Sequence, residues 1–447
     1  MTETNHYITL DHCIILTVNE NNDCIADGRI VIHESTIESL GTPDEVEARG
    51  KVYDLKGRIV MPGLISTHTH SPSVLFRGLA DDKYLHEWLT EYMWPAEKHL
   101  THELTYAGSR LAYLEYLGNG MTTNVDMWYF SDAVSQAAEE SGLRSFLSSA
   151  VFAFPSPQSE HSLQDTADYL ARCYSRPEAV RKASRVYPCV GPHDIYSTNP
   201  PLLKECAQLA KQYQAMIHMH ISETQRDNAE AFSLYNMSPT RVAEEAGIFE
   251  CRTLFAHCIC LSEEDMDIFH KYNASVSYNP VTNLKLSEGI LPIPKLREKG
   301  INVTVGVDGA QSNNSLNLLA DIKTGVLIQK VAEMNPCILN AVDAIRMITI
   351  NGARAVGMEH KIGSLEVGKR ADLITIDIDT PAMTPILHKT TENISSHIIY
   401  TDTSINDVMV DGEFLMKDKE YCRIDAKEIM REAQKAADYI TKKIDKI

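Results

Sequence analysis

The chain has no excess of positive charge: 42 Lys and Arg stand against 61 Asp and Glu, a formal net charge of −19. An acidic surface argues against nucleic acid or an anionic membrane as a partner, since both attract cations. The chain also lacks any uninterrupted apolar run of roughly 18 residues, the length a membrane-spanning helix needs. It has no basic leader either. It opens Met1-Thr2-Glu3-Thr4-Asn5-His6, and the apolar stretch Cys13–Val18 is too short for a secretory signal. The expected compartment is therefore the cytoplasm. Ten cysteines occur without regular spacing, and Cys258-Ile259-Cys260 has no second pair, so neither a disulfide framework nor a zinc knuckle is expected. Internal repeats and low-complexity segments are absent.

What is present is a length of 447 residues with 44% apolar content, enough for a barrel-sized core and a smaller domain. Residues 7–58 read as short strands: Tyr7–Val18, Gly28–Ile32, Thr36–Leu40 and Lys51–Asp54. The next apolar run, Val60 to His70, reads as one buried strand entered by a Pro62-Gly63 turn. Beyond it, strand candidates alternate with helical stretches: Met121–Trp128, Arg144–Phe152, Arg185–Asp194, Ala215–Glu223, Thr253–Leu261, Ala274–Pro280 and Ile301–Gly309. Eight alternating units predict a closed, parallel (β/α)₈ barrel. After residue 360 strands return, at Gly363–Leu365, Ala371–Asp377, His397–Tyr400, Asp407–Val410 and Glu413–Met416, before a last helix over 425–447. The expected architecture is α/β: a barrel over 59–360, and a β-sandwich domain built from both chain ends, 1–58 and 361–447.

Ionisable residues gather where the barrel strands end, and that is where barrel active sites lie. His68 and His70, two apart on a strand, point to one face. Two imidazoles side by side can ligate a metal such as Zn²⁺, although an H-x-H pair alone carries even odds against two polar residues at a loop mouth. His220 and Glu223, His193, His257 and Asp308 supply the context. An aspartate ending the apolar strand Val305-Gly306-Val307 needs a cation or strong donors. Three histidines plus Asp308 suit one hydrolytic divalent metal, Zn²⁺ with Fe²⁺ as the alternative. The fourth strand ends Gly191-Pro192-His193-Asp194, with no lysine to bridge a second ion. His218, on the same face as His220 but deeper, is expected to pack or to support the ligands. Asp126, ending the second barrel strand, is a candidate to support the ligands from behind, with no specific sequence signal for that role.

The run Pro62-Gly63-Leu64-Ile65-Ser66-Thr67-His68-Thr69-His70, with His220-x-x-Glu223, His257, Asp308 and the closing Gly363–Leu373, resembles the amidohydrolase superfamily. Phe76-Arg77-Gly78-Leu79, Trp94-Pro95-Ala96-Glu97, Gly191-Pro192-His193, Asn279–Leu286 and Ser312-Asn313-Asn314-Ser315 are similar to its 5'-methylthioadenosine/S-adenosylhomocysteine deaminases. The resemblance implies hydrolytic deamination of an adenine nucleoside, with a small molecule as partner and a homo-oligomer left open. It implies that His68, His70, His220 and Asp308 hold the metal, and that Asp308 and His257 orient the attacking oxygen. Glu223 would move protons on the ring. Glu97 and His193 would contact ribose and base, with Trp94 and Ser312 beside them. The rival readings are a triazine, pterin or guanine hydrolase on the same scaffold, and a non-catalytic relative. Three departures stand out: Tyr278 where many relatives have histidine, Val307 where threonine is common, and no Arg or Lys over Ser145–Ala171 for an amino-acid carboxylate.

Overall fold

The computed structural model describes residues 7–444; the N-terminal stretch read for a leader and the last three residues of the expected terminal helix lie outside them. Near the start lie β1 (Tyr7–Leu16), β2 (Cys24–His33), β3 (Thr36–Gly41) and the short β4 (Lys51–Asp54), with the middle and end of β1 and the second half of β2 largely buried. β1 and β2, then β2 and β3, pair antiparallel.

The single strand expected from Val60 to His70 is two strands in two different sheets. β5 (Ile59–Pro62) pairs parallel with β1, and β6 (Leu64–Thr69) opens the barrel. Gly63 separates them. A Cβ there would stand 2.1 Å from the Thr122 side chain, so only glycine lets the two segments approach.

The barrel strands follow in order: β7 (Met121–Trp128), β8 (Arg144–Val151), β9 (Val186–Pro192), β10 (Ile217–Ile221), β11 (Thr253–His257), β12 (Ser275–Tyr278) and β13 (Asn302–Val305). They run β6 to β13 in sequence order, as the alternating pattern predicts. A parallel bridge between Thr69 and Asp308 brings the last unit back to the first, with Asp308 N–H donating to His68 O at 3.0 Å. Inside, Thr67 Oγ1 meets Ser277 Oγ at 2.7 Å and Thr304 Oγ1 at 2.5 Å, a buried hydroxyl cluster linking β6, β12 and β13.

The chain end adds β14 (Leu373–Ile376), β15 (Ile405–Val410), β16 (Glu413–Lys417) and β17 (Glu420–Tyr421). β14 pairs antiparallel with β5, so strands from both ends of the chain share one sheet, β17-β16-β15-β14-β5-β1-β2-β3 with β4 on β1. Its core is Leu10, Ile15, Ile30, Ile32, Val60, Leu373 and Met409, with Leu365 among them.

Two expected strands are not strands. Residues 397–400 belong to a helix, Thr391–Tyr400, capped by the Thr390 side chain accepting from Asn393 N–H. The β-branched pair Ile398-Ile399 suggests a strand, but Ile394 and Ile398 are buried at helical spacing and the cap favours the helix. Gly363–Leu365 forms a turn because Gly363 has φ +89°, outside the extended region.

The chain forms two compact units. One comprises the stretch up to Ile65, Tyr116–Thr123 and Asn317–Arg423; the other comprises Ser66–Glu115, Asn124–Leu316 and the stretch from Ile424. The terminal helix, Ala426–Ile444, thus groups with the second unit rather than with the β domain, burying Ile429, Ala433, Ala436 and Ile440. Among the described residues no helix is long and apolar enough to cross a membrane. All ten cysteines are free, as their irregular spacing suggests.

Candidate active site

The backbone at the C-terminal ends of β10, β11 and β13 is strained. Ser222, His257, Cys258 and Asp308 all take positive φ, from +48° to +68°, which costs non-glycine residues about 1–3 kcal/mol each. Each such turn redirects a side chain at a strand end toward one centre. A helix cap then fixes the chain beyond Glu223. Thr224 and Asp227 form a reciprocal capping box that starts Gln225–Tyr235 directly after that residue.

His68, His70 and His220 present ring nitrogens within 4.8 Å of one another, and ring nitrogens of His68 and His257 lie equally close to a carboxylate oxygen of Asp308. Asp308 Oδ1 lies 3.3 Å from Nε2 of both His68 and His70. The outer nitrogens set the tautomers. His70 Nδ1 donates to Met127 O at 2.7 Å, and His220 Nδ1 donates to His193 O at 2.7 Å. Their Nε2 atoms therefore carry lone pairs, and these stand 3.3 Å apart. His68 Nδ1 meets His218 Nε2 at 2.8 Å, while the buried His68 Nε2 makes no hydrogen bond. Converging lone pairs and an orphaned nitrogen beside a carboxylate fit a divalent cation. Burial holds His68 and His220 below the ordinary histidine range, which keeps them neutral as ligands must be. Burial alone would raise Asp308, but contact with His68 and then the nearby His70 and His257 holds it well below the usual carboxylate range.

Asp126, a candidate supporting residue in the sequence, stands behind the ligands. Its Oδ2 accepts from Thr69 Oγ1 and from Ser71 N–H, both at 2.7 Å, bracketing His70. His218 supports His68 through the hydrogen bond above. His257 Nδ1 accepts from Asn283 Nδ2 at 2.8 Å, which leaves Nε2 to carry the ring proton. The His257 ring is thus set to donate toward the cluster rather than to coordinate. Burial pushes His257 and His193 down to about 3, so both are neutral.

Beside this cluster opens a pocket with a cavity volume of about 60 Å³. His70, His220, Glu223, His257 and Asp308 line it together with Leu85, Trp88, Leu89 and Trp94. Those four come from a helical segment that includes a π-helical turn, Trp88–Met93. His86 Nε2 holds the segment to Asp227 Oδ1 at 2.9 Å. Glu97, His193, Trp94 and Ser312, all expected from sequence, line the pocket. Glu97 is buried, and its Oε2 accepts from Tyr129 OH at 3.0 Å; burial pushes the carboxyl up to about 7. His193 Nδ1 meets Ser197 Oγ at 2.9 Å, and its ring lies 4.6 Å from Phe152. Ser312 Oγ lies 3.3 Å from Asp308 Oδ2. Trp94 packs on Phe154, and Phe154 on Phe152, in an aromatic wall. Among the described residues lining the pocket there is no lysine or arginine. Arg77 is engaged by Glu115 Oε2 at 2.5 Å.

Sequence reading missed Tyr129, Gln311, Asn279, Asn283 and Glu288. Gln311 lines the pocket, and its Oε1 is buried without a partner. Asn279 and Asn283 stood inside the Asn279–Leu286 motif, so a signal existed without a role. Tyr129, Gln311 and Glu288 carried none.

The sequence signature of the amidohydrolase family matches residues 59–415. The chain is 37% identical to a 5'-deoxyadenosine deaminase of Methanobrevibacter smithii over 412 residues, 92% of this chain and 93% of that one. It is 35% identical to a 5-methylthioadenosine/S-adenosylhomocysteine deaminase of Syntrophomonas wolfei over 434 residues, 96% and 98% of the two chains. Among solved structures it resembles an adenosine deaminase of Xanthomonas campestris with bound zinc. There the TM-score is 0.91 and the identity 26%, over 97% of this chain and 98% of that one.

Proposed function

This chain belongs to the amidohydrolase family, and we propose that it is a metal-dependent hydrolytic deaminase of adenine nucleosides, acting on 5'-methylthioadenosine, 5'-deoxyadenosine or adenosine. One observation carries the reading. A buried Glu223 lines the same pocket as His70, His220 and Asp308, with His68 buried among those ligands, and Glu97 belongs to the same lining. A divalent ion held by His68, His70, His220 and Asp308 would supply Lewis acidity that makes water a nucleophile near neutral pH. Zinc in the bound state of the Xanthomonas relative favours Zn²⁺ here.

The chain's own groups do the rest. Burial, and then the neighbouring carboxylates Glu288 and Asp227, raise Glu223 well above the usual carboxylate range. It therefore carries a proton, which it gives to the purine ring nitrogen, leaving the adjacent carbon electron-poor. Water adds to that carbon with its proton accepted by Asp308, while His257 Nε2–H holds the incoming oxygen. Glu223 regains a proton from the added hydroxyl as the second moves from Asp308 to the amine. The carbon–nitrogen bond breaks, and ammonia and the inosine analogue leave.

Glu97 would accept both hydroxyls of the ribose. Trp94 and Phe152, which line the pocket and pack on Phe154, would receive an apolar 5' substituent. That lining supports methylthioadenosine or deoxyadenosine over S-adenosylhomocysteine, whose carboxylate finds no cation there. Ammonia release from purified, zinc-loaded protein across adenine nucleosides, guanine, pterins and triazines tests the reading. Release from the nucleosides is expected; release from none of them sinks it.

A further inference from the structure

Behind Glu223, out of the pocket lining, lies a second buried carboxyl. The Glu288 side chain is 1% exposed, and its polar atoms lie within 4.8 Å of those of Glu223 and His257. Asn283 Nδ2 donates to Glu288 Oε2 at 2.6 Å as well as to His257 Nδ1 at 2.8 Å. Glu288 Oε1 has no partner of its own. Two buried carboxyls this close cannot both be ionised without a cation or a shared proton. The donors decide where that proton rests. Asn283 gives an N–H to Glu288 and so favours its carboxylate form, while Glu223 has only the 3.4 Å approach of the neutral His257 Nδ1.

We propose that Glu288 is a positioning residue for the deamination: its carboxylate accepts a hydrogen bond from protonated Glu223, keeping that proton on Glu223 and holding the carboxyl toward the pocket. The inference rests on the reading of Glu223 as the proton-carrying group. It gives the two acids different tasks. Glu223 touches substrate, and Glu288, absent from the lining, acts only through Glu223. Other groups around Glu223 reinforce the arrangement. Asp227 on the following helix and Asp308 across the site both add negative charge, Cys260 Sγ caps the Glu223 carbonyl at 3.9 Å, and His257 is neutral. Burial raises Glu288 as well, and the hydrogen bonds with Asn283 and Glu223 act against that rise.

The experiment uses full-length, metal-loaded protein and two readouts. By infrared difference spectroscopy near neutral pH, wild type should show a carboxylic-acid carbonyl band that Glu223→Gln removes. In Glu288→Gln that band should titrate away at lower pH, because the negative neighbour is gone and the amide N–H favours ionised Glu223. In steady-state kinetics, the alkaline limb of kcat/KM for the nucleoside should move down by about one pH unit or more in Glu288→Gln. At pH 8 kcat should fall about tenfold while KM holds within about twofold. Glu288→Asp, which keeps the charge, should restore part of the alkaline activity. No band lost in Glu223→Gln overturns the proposal, and that arm needs no Glu288 variant to fold. A Glu288→Gln profile that keeps its wild-type limbs, at full or uniformly reduced activity, overturns it too. If wild type deaminates no nucleoside, the deaminase reading fails while the infrared arm still decides the proton's place.

Discussion

His70 Nε2 and His220 Nε2 face each other at 3.3 Å while each ring spends its Nδ1–H on a main-chain carbonyl, of Met127 and of His193. Two lone pairs so aimed repel unless a cation lies between them, so the donor geometry is built for the ion.

The protein should therefore bind one metal ion per chain. His220→Ala should lose metal and activity together, whereas Glu223→Gln should keep metal and lose activity, because that carboxyl serves protons. Elemental analysis of both variants checks this. Two tightly held, activity-dependent ions per chain would falsify it. An ion that binds only the native state, present at a thousandfold over Kd, stabilises by about 4 kcal/mol, and chelation should lower Tm correspondingly.

Glu97 makes affinity depend on pH. Its carboxyl is raised to about 7 by burial, so it is neutral below that pH and ionised above it. Ribonucleoside affinity should weaken as pH falls through about 7 and level off above it. The same shift works oppositely on folding. Stability contributed by the neutral form is present below the ordinary value of 4.5 and is lost as pH rises through about 7. Glu97→Ala should cost roughly 1.5–3 kcal/mol in transition-state binding of a ribonucleoside. A substrate without the ribose should lose almost nothing; equal losses on both would remove the diol assignment.

Discrimination at the 5' end should follow charge. With Trp94 and Phe152 in the lining, no Lys or Arg among the described lining residues and Arg77 engaged by Glu115, a free carboxylate lacks a partner. A missing charge-assisted pair corresponds to about ten- to a hundredfold in preference. kcat/KM for methylthioadenosine should exceed that for S-adenosylhomocysteine by that order, and equal values would show that a cation reaches the tail.

Gly306 is a packing test of barrel closure. A Cβ at this position would stand 2.6 Å from His68 Cβ and 2.7 Å from Asn279 Oδ1. Gly306→Ala should destabilise by about 1–3 kcal/mol in chemical denaturation and weaken metal binding by displacing His68. Wild-type stability with normal metal content would contradict the crowding.

The sequence by itself determined the eight barrel strands and the ionisable residues at their ends. Alternation of strand and helix is a local pattern, and His68-x-His70, His220-x-x-Glu223 and Asp308 lie within or just beyond single strands whose side-chain period is fixed. The helix Pro200–Tyr213 was legible for the same reason: Pro200 follows Asn199, whose side chain caps Leu202 N–H. Local pattern failed where two sheets compete for one apolar run. Val60–His70 divides at Gly63, where a side chain would collide with Thr122 of β7, a contact no local pattern displays. It failed again at 397–400, where a cap seven residues upstream outweighs β-branched propensity. Tertiary structure alone decided which residues stand behind the chemistry. Glu288 comes after a short helix with no period to mark it, and Tyr129 reaches Glu97 across 32 positions of chain. Protonation was decided there too, because a carboxyl's charge depends on burial and neighbours, and neither is written in the order of residues.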